Sequence, residues 1–347
     1  MLNNQHFADF RAKSLGGSDV AAILGLSPYR SAIDVWMEKT GKPIEHKDSL
    51  PLRFGSFAEE FVAQEYAIRT GKQLINYPFA ITHPSHDYFG GHIDRFVSNS
   101  PKEQCAPALD HLSDDLDNAL QFNNQQLSSI YHQPIERLLE CKTANPFMQQ
   151  QWGESGTDQV PLPYLCQCLW YMAITGVDKT DLAVLFGNAD FRIYSLERDL
   201  EIENTLLEKA AFFWTEYVQK DLPPPVQSER DCHKLFTKTS CAKSIEAPAS
   251  VFTELAKVAA LQEQIETAEN ELSQIKQLVM STMQDAEVLS YAGKTLATWK
   301  LAKGATRIDS KRLEKDHPQL ASQYQITAQA SRRLLLKSLA EQSIIKK

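Results

Sequence analysis

Three side chains in two short segments carry the chemistry that this sequence can do: Asp94 in GGHIDRF, then Glu140 and Lys142 in LLECKT. On a strand, residues two apart project to the same side. Glu140 and Lys142 therefore share a face with Leu138, while Leu139 and Cys141 take the other. An acid and a lysine side by side in an apolar strand are costly to desolvate unless something compensates them. A divalent cation would do so. If the strand bearing Asp94 pairs with the strand bearing Glu140, two carboxylates converge and the Cys141 backbone carbonyl can add a third oxygen. Such a hard donor set suits Mg²⁺, with Mn²⁺ as an alternative. The corresponding reaction is phosphodiester hydrolysis, in which the ion polarises the phosphate and lowers the pKa of a bound water. Lys142 would orient that water or offset charge growing on the phosphate. An acid two residues before a lysine also arises by chance as a surface ion pair, so the surrounding segments must decide.

Those segments read as a mixed α/β core. LGGSDVAAILGLSPYRSAIDVWMEKTG predicts two short helices, with Ser18 and Asp19 in an N-cap arrangement and Gly41 closing the second. RFGSFAEEFVAQEYAIRTG predicts a longer helix, with Phe57, Phe61 and Ile68 on one face and Gly71 at its end. On that reading Glu65 lies in the middle of the apolar face, Glu59 at its edge, and Glu60 in solvent. KQLINYPFAITH and HDYFGGHIDRFVS predict two strands, the second bending at Gly90-Gly91. Residues 99–133 lose the pattern and read as an inserted loop. PIERLLECKTA resumes as a strand, PLPYLCQCLWYMAITG as a helix, DLAVLFGN and DFRIYSLE as strands, and RDLEIENTLLEKAAFFWTEYVQK as a long helix. The expected fold is a mixed central β-sheet flanked by helices over residues 1–222. A linker over 223–248, opened by Pro223-Pro224-Pro225, leads to an appendage over 249–347. That appendage holds a long heptad-patterned helix, suited to an antiparallel or interchain coiled coil, then a hairpin turning at Ala292-Gly293 and a basic tail.

The net charge of −8 is unevenly spread. Lys294 to Lys347 holds twelve Lys/Arg against four Asp/Glu, which leaves the preceding residues at net −16. A basic end on an acidic body fits a local contact with an anionic partner, or a solvated tail. No apolar run is long enough to span a bilayer, and MLNNQHFADFRAKS has no apolar signal core, so the expected location is the cytoplasm of a bacterium or phage-infected host. The six cysteines lack the grouped spacing that an iron–sulfur cluster needs. Six reduced cysteines, several of them core residues, are expected.

Taken in order, the segments resemble the YqaJ-type viral recombinase family, whose relatives include phage lambda exonuclease, among the PD-(D/E)xK nucleases. The shared series begins with Arg11 ahead of Gly16-Gly17-Ser18-Asp19, then GLSPYRS, and then Trp36 with Lys39-Thr40-Gly41. It continues through Gly55 with Glu59, the Asp94 strand, E-C-K, and Tyr164 with Gln167 ahead of Thr175-Gly176. The resemblance covers Arg11 to Glu216 and extends more loosely into LATWKLAKGATRIDSKRL and SRRLLLK. It implies that Asp94 and Glu140 ligate the metal, that Lys142 is the catalytic lysine, and that Glu59 is an auxiliary acid on the flanking helix. It also implies that Gln167 helps to hold the site around the water or scissile phosphate, and that Tyr164 shares Gln167's helix face. Arg11 and Ser18 become the phosphate contacts near a DNA end, with Tyr164 as a further DNA contact.

The implied activity is a metal-dependent exonuclease that degrades one strand of linear duplex DNA, 5′ to 3′. The implied setting is phage-type homologous recombination, with a single-strand annealing protein as partner and a ring-like homo-oligomer such as a trimer. The alternatives are a DNA endonuclease using the same metal core, and a catalytically inactive DNA-end-binding scaffold. The long stretch between Asp94 and Glu140 departs from the family pattern.

Overall fold

A computed structural model of the chain describes residues 10–44, 49–77, 79–98, 135–239, 243–304, 306, 308–326 and 332–336. The expected insertion over 99–133 lies outside the described residues. The chain divides into two units between Cys232 and His233, inside the segment expected to be a linker.

The first unit is built on a five-stranded mixed sheet. Its strands are β1 (Gln73–Ile75), β4 (Arg95–Ser98), β5 (Ile135–Ala144), β6 (Lys179–Phe186) and β7 (Asp190–Glu197), in the spatial order β1-β4-β5-β6-β7. Only β5 and β6 run parallel; the other neighbours are antiparallel. A separate two-stranded sheet pairs β2 (Ile81–His83) with β3 (His86–Gly91). Each of the two long strands expected from sequence is thus two strands serving different sheets, and β3 gives way to β4 across His92, Ile93 and Asp94. That break matters for the site. It places Asp94 just outside the ladder, where its side chain can turn toward β5.

The middle of β5 is buried without alternation from Leu138 to Cys141, the mark of a strand covered on both faces. Helix α3 (Leu50–Thr70) covers one face: Val62, Ala63 and Tyr66 pack with Val97, Leu139, Cys141, Ala183 and Leu185. This corrects the face expected from periodicity. Phe57 is 83% exposed, Phe61 and Ile68 are exposed as well, and Glu65 is a partly exposed partner of Arg69 at 2.7 Å. The small side chains Ala58, Val62 and Ala63 allow close approach to the sheet, so the phenylalanines turn outward. Helix α4 (Leu162–Thr175), almost wholly buried in its second half, lies against the short helix α1 (Gly17–Ile23), on which α2 (Ala32–Lys39) packs in turn. Helix α5 (Leu200–Phe213) runs on into a wider turn over Trp214–Val218. A short helix α6 (Glu229–Leu235) follows within the expected linker. There Asp231 is buried and accepts hydrogen bonds from Ser31 Oγ and the Gln227 backbone N–H, so this part of the segment is docked on the core.

The second unit contains α7 (Ala249–Met283), a hairpin of β8 (Val288–Tyr291) and β9 (Lys294–Thr298), and two short helices, α8 (Ser310–Asp316) and α9 (Pro318–Gln323). The hairpin turns at Ala292 and Gly293, both at positive φ (48° and 77°), as expected for a two-residue connection of matching twist. Among the described residues, no helix is long and apolar enough to cross a membrane.

A buried polar knot fastens α3 to the sheet. Asp181 on β6 accepts from Tyr66 Oη at 2.6 Å, Arg137 Nη1 at 2.8 Å and Ser195 Oγ at 2.7 Å. Removing one donor leaves two, whereas neutralising the acid leaves buried donors facing an uncharged group and Arg137 with only the more exposed Glu136 as counter-charge. We predict that Tyr66→Phe costs about 1 kcal/mol and Asp181→Asn about 3 kcal/mol of first-unit stability in urea unfolding. Equal losses would contradict this account of the knot.

Candidate active site

The antiparallel register sets the site. Arg95 pairs with Leu139, so Asp94 stands one step on, beside Glu140 and on Glu140's face of the sheet. The Asp94 carboxylate turns back onto β5, where its Oδ2 accepts from the Cys141 backbone N–H at 2.8 Å. In an extended strand a residue's N–H and C=O point to the same side. The Cys141 carbonyl is therefore directed to the side on which Asp94 lies.

Glu140 is 2% exposed. Its Oε1 accepts from Lys142 Nζ at 2.5 Å and from Gln167 Nε2 at 2.6 Å. Its Oε2 is buried and has no hydrogen-bond partner among the described residues. A buried carboxylate oxygen with no donor is a costly orphan, and a cation is one of the few groups that would satisfy it. Burial pushes the Asp94 carboxyl well above the usual range, and the neighbouring Glu140 charge pushes it further, against the pull of Lys142. Burial likewise raises Glu140, with Lys142 opposing. Burial alone would lower the Lys142 ammonium; Glu140 and Asp94 outweigh it and hold that group protonated. Two acids sharing one lysine leave a deficit of positive charge in a dry pocket. The residues present therefore fit a divalent ion held by Asp94, Glu140 Oε2 and the Cys141 carbonyl, with water completing the shell. Among the described residues, no three His, Cys, Asp or Glu side chains converge into a metal cluster, so the carbonyl and water are required.

Glu59 stands apart from the carboxylate pair. Its Oε1 accepts from Arg95 Nη1 at 3.1 Å, and the neighbouring Glu60 takes Arg95 Nη2 at 2.5 Å. Arg95 shares the Leu139 face, toward α3, so it gathers both helix acids there. Glu59 is near enough for its charge to act on Asp94 and Glu140 without touching either. Sequence reasoning missed Arg95, because nothing in the string shows that a residue beside Asp94 reaches back to a helix more than thirty positions earlier.

Gln167 is placed as a support: besides Glu140 it reaches Tyr171 Oη at 3.1 Å. Tyr171, four residues on along α4, was legible by helical spacing but not singled out. Tyr164 stacks on Trp152 (5.0 Å between ring centres, 25° between planes) and so does not join Gln167 at Glu140.

At the start of the chain, α1 is capped by Gly16 and not by Ser18. The Gly16 N–H donates to Asp19 Oδ2 at 3.0 Å, which puts Ser18 in the first turn with its side chain exposed. Asp19 is buried, yet Lys39, Arg30 and Arg11 hold its carboxyl down at about 2 against the desolvation that would raise it. Lys39 Nζ lies 2.8 Å and Arg30 Nη1 2.7 Å from it. Arg11 is exposed and pairs through Nε with Glu38 at 2.9 Å. This network ties α1 to α2. It also seats Gly17 against α4, where an added Cβ would lie 2.9 Å from Gln167 Cγ and 3.2 Å from Gln167 backbone atoms.

Gly17 is therefore a spacer for the active site. Gly17→Ala should displace Gln167 from Glu140 and lower kcat by about tenfold or more, with the circular dichroism spectrum unchanged. Wild-type turnover in this variant would dissociate α1 from the site.

Residues 6–178, about half of the chain, match the sequence model of the YqaJ-like viral recombinase domain, a span that includes Asp94, Glu140, Lys142 and Gln167. A protein called YqaJ from Bacillus subtilis (strain 168) is 25% identical over 315 residues, covering 89% of this chain and 86% of that protein. Among solved structures, an alkaline exonuclease (LHK-Exo) from Laribacter hongkongensis, in complex with dAMP, superposes with a TM-score of 0.44 at 17% identity. That match covers 62% of this chain and 92% of the other. A phage-related exonuclease from Haemophilus somnus 129PT gives 0.35 at 10% identity, covering 60% and 95%. The match along the sequence and the E-C-K strand beside Asp94 agree: the chain belongs to the YqaJ-like viral recombinase domain family.

Proposed function

We propose that the protein is a metal-dependent deoxyribonuclease that hydrolyses one strand of linear duplex DNA from an end. The observation that carries this reading is the buried Glu140 Oε2 beside Asp94, without a hydrogen-bond partner among the described residues, with Lys142 paired to Glu140 and close enough for Asp94's charge to act on it. When bound, Mg²⁺ or Mn²⁺ supplies polarisation of the phosphate and a water of lowered pKa. The protein's own groups do the rest. The Cys141 N–H fixes one oxygen of Asp94, and Gln167 with Lys142 fixes one oxygen of Glu140, so the free oxygens keep a defined direction. The Lys142 side chain is a quarter exposed, and in this reading its ammonium meets the scissile phosphate while remaining paired to Glu140.

The exposed Arg11 guanidinium and Ser18 hydroxyl, together with Tyr164, are our proposal for phosphate and DNA contacts. In the same reading digestion runs 5′ to 3′ and serves phage-type recombination. The enzyme works beside a single-strand annealing protein, in the cytoplasm, as a ring-like oligomer. Membership of a viral recombinase family and the likeness to proteins titled exonucleases motivate these finer points.

The test uses end-labelled linear duplex, covalently closed circular duplex, Mg²⁺ and a chelator. Nucleotides should be released from the linear substrate only with the metal present, while the circle stays intact. Lys142→Ala should lower the rate by about a thousandfold or more. Cleavage of the circle would make the protein an endonuclease, and cleavage in chelator would remove the metal from the account.

A further inference from the structure

We infer that α7 is one strand of a parallel, two-stranded coiled coil formed with a second copy of this chain. The helix is 35 residues long, about 52 Å at the usual rise, and only Met283 at its end is buried. Its apolar residues repeat every seven. Val251, Val258, Ile265, Leu272 and Val279 form one row, and Leu261, Ala268 and Ile275 form the row that alternates with it. Along this stripe Leu261, Ile265, Leu272 and Ile275 are each at least half exposed. A lone helix draws most of its stability from the packing of such a face, so this one needs a cover. An unbroken seven-residue repeat sets a left-handed pairing of helices, and β-branched residues dominating the first row favour two parallel strands.

The flanking charges choose the occupant and its direction. In a parallel pair, each flanking residue meets the residue five positions later on its neighbour. Glu271 then faces Lys276 of the partner subunit, and by symmetry this attraction occurs twice. Lys257 meets Gln262 of the partner subunit, and Gln264 meets Glu269 of the partner subunit, so no like charges oppose one another on the flanks. In a fully overlapped antiparallel pair Glu271 would meet Gln264 of the partner subunit, and Lys276 would meet Leu255 of the partner subunit. Both charge pairs would be lost. One charged residue, Glu254, falls in the seam. It sits in the second turn and is held by Lys257 at 2.6 Å, where fraying leaves it hydrated. The pairing joins two copies of the chain through their second units, whatever assembly the first units form. This inference is independent of the hydrolytic reading.

The test is disulfide trapping in the full chain. Thr282 lies in the second row near the C-terminal end of the helix, and Val251 lies in the first row near its start. Parallel in-register helices bring each of these within disulfide reach of its own copy. Antiparallel helices separate identical sites by about 46 Å at the usual rise per residue. Under mild oxidation, Thr282→Cys and Val251→Cys should each give a species of twice the 39.2 kDa chain mass, at least about tenfold above the wild-type background. Adding Ile265→Lys and Leu272→Lys to Thr282→Cys should remove it. Thr282→Cys and Val251→Cys variants that both trap no more than wild type would overturn the proposal, as would trapping that survives the two lysines. Because the readout is confined to α7, it does not depend on cleavage or on any assembly of the first unit.

Discussion

Two carboxylates and one ammonium crowd the buried middle strand of the sheet, and their charges do not cancel. Asp94 and Glu140 are both driven toward neutrality by burial, Lys142 is driven to stay charged by both of them, and one oxygen of Glu140 has no donor among the described residues. A protein interior tolerates such an arrangement only where strong compensation is available or where the imbalance is used. The rest of the first unit is arranged to hold these groups still. The break between β3 and β4 frees Asp94 to turn onto β5, the parallel β5–β6 pairing buries Glu140, and α4 brings Gln167 to its other oxygen.

Support for that geometry comes from two sides. On the α3 face, the Asp181 knot and the Arg95 bridge to Glu59 and Glu60 fix the helix above the sheet. On the α4 face, the Asp19 network sets the height of α1, and the missing side chain at Gly17 lets α1 come close enough to press on Gln167. The G-G-S-D segment therefore has two structural tasks inside the core. Ser18, exposed in the first turn, is left free to face outward.

The shared face of Glu140 and Lys142 was legible because strand geometry is periodic and short-ranged, whereas the strand bearing Asp94 could be placed beside them only as a condition, which the register of β4 on β5 decides. The hairpin at Ala292-Gly293 and the helices bearing Trp36 and Gln167 were legible for the same reason. What failed to read was decided by partners distant in sequence. Phe57, Phe61 and Ile68 form a convincing apolar stripe, yet the sheet takes the opposite, small-residue side of α3, and no local pattern states which of two faces a sheet prefers. Ser18 has the chemistry of a cap, but Asp19 makes the capping bond because Lys39 and Arg30 hold it in place. Arg95 was invisible for the same reason.

The central claim is that one divalent ion sits between Asp94 and Glu140. A crystal soaked in Mn²⁺ and measured at the manganese absorption edge addresses it directly. The account predicts an anomalous peak about 2 Å from Glu140 Oε2, from an Asp94 oxygen and from the Cys141 carbonyl. An ion bound elsewhere on the molecule, with Glu140 Oε2 still lacking any partner at saturating Mn²⁺, would contradict it.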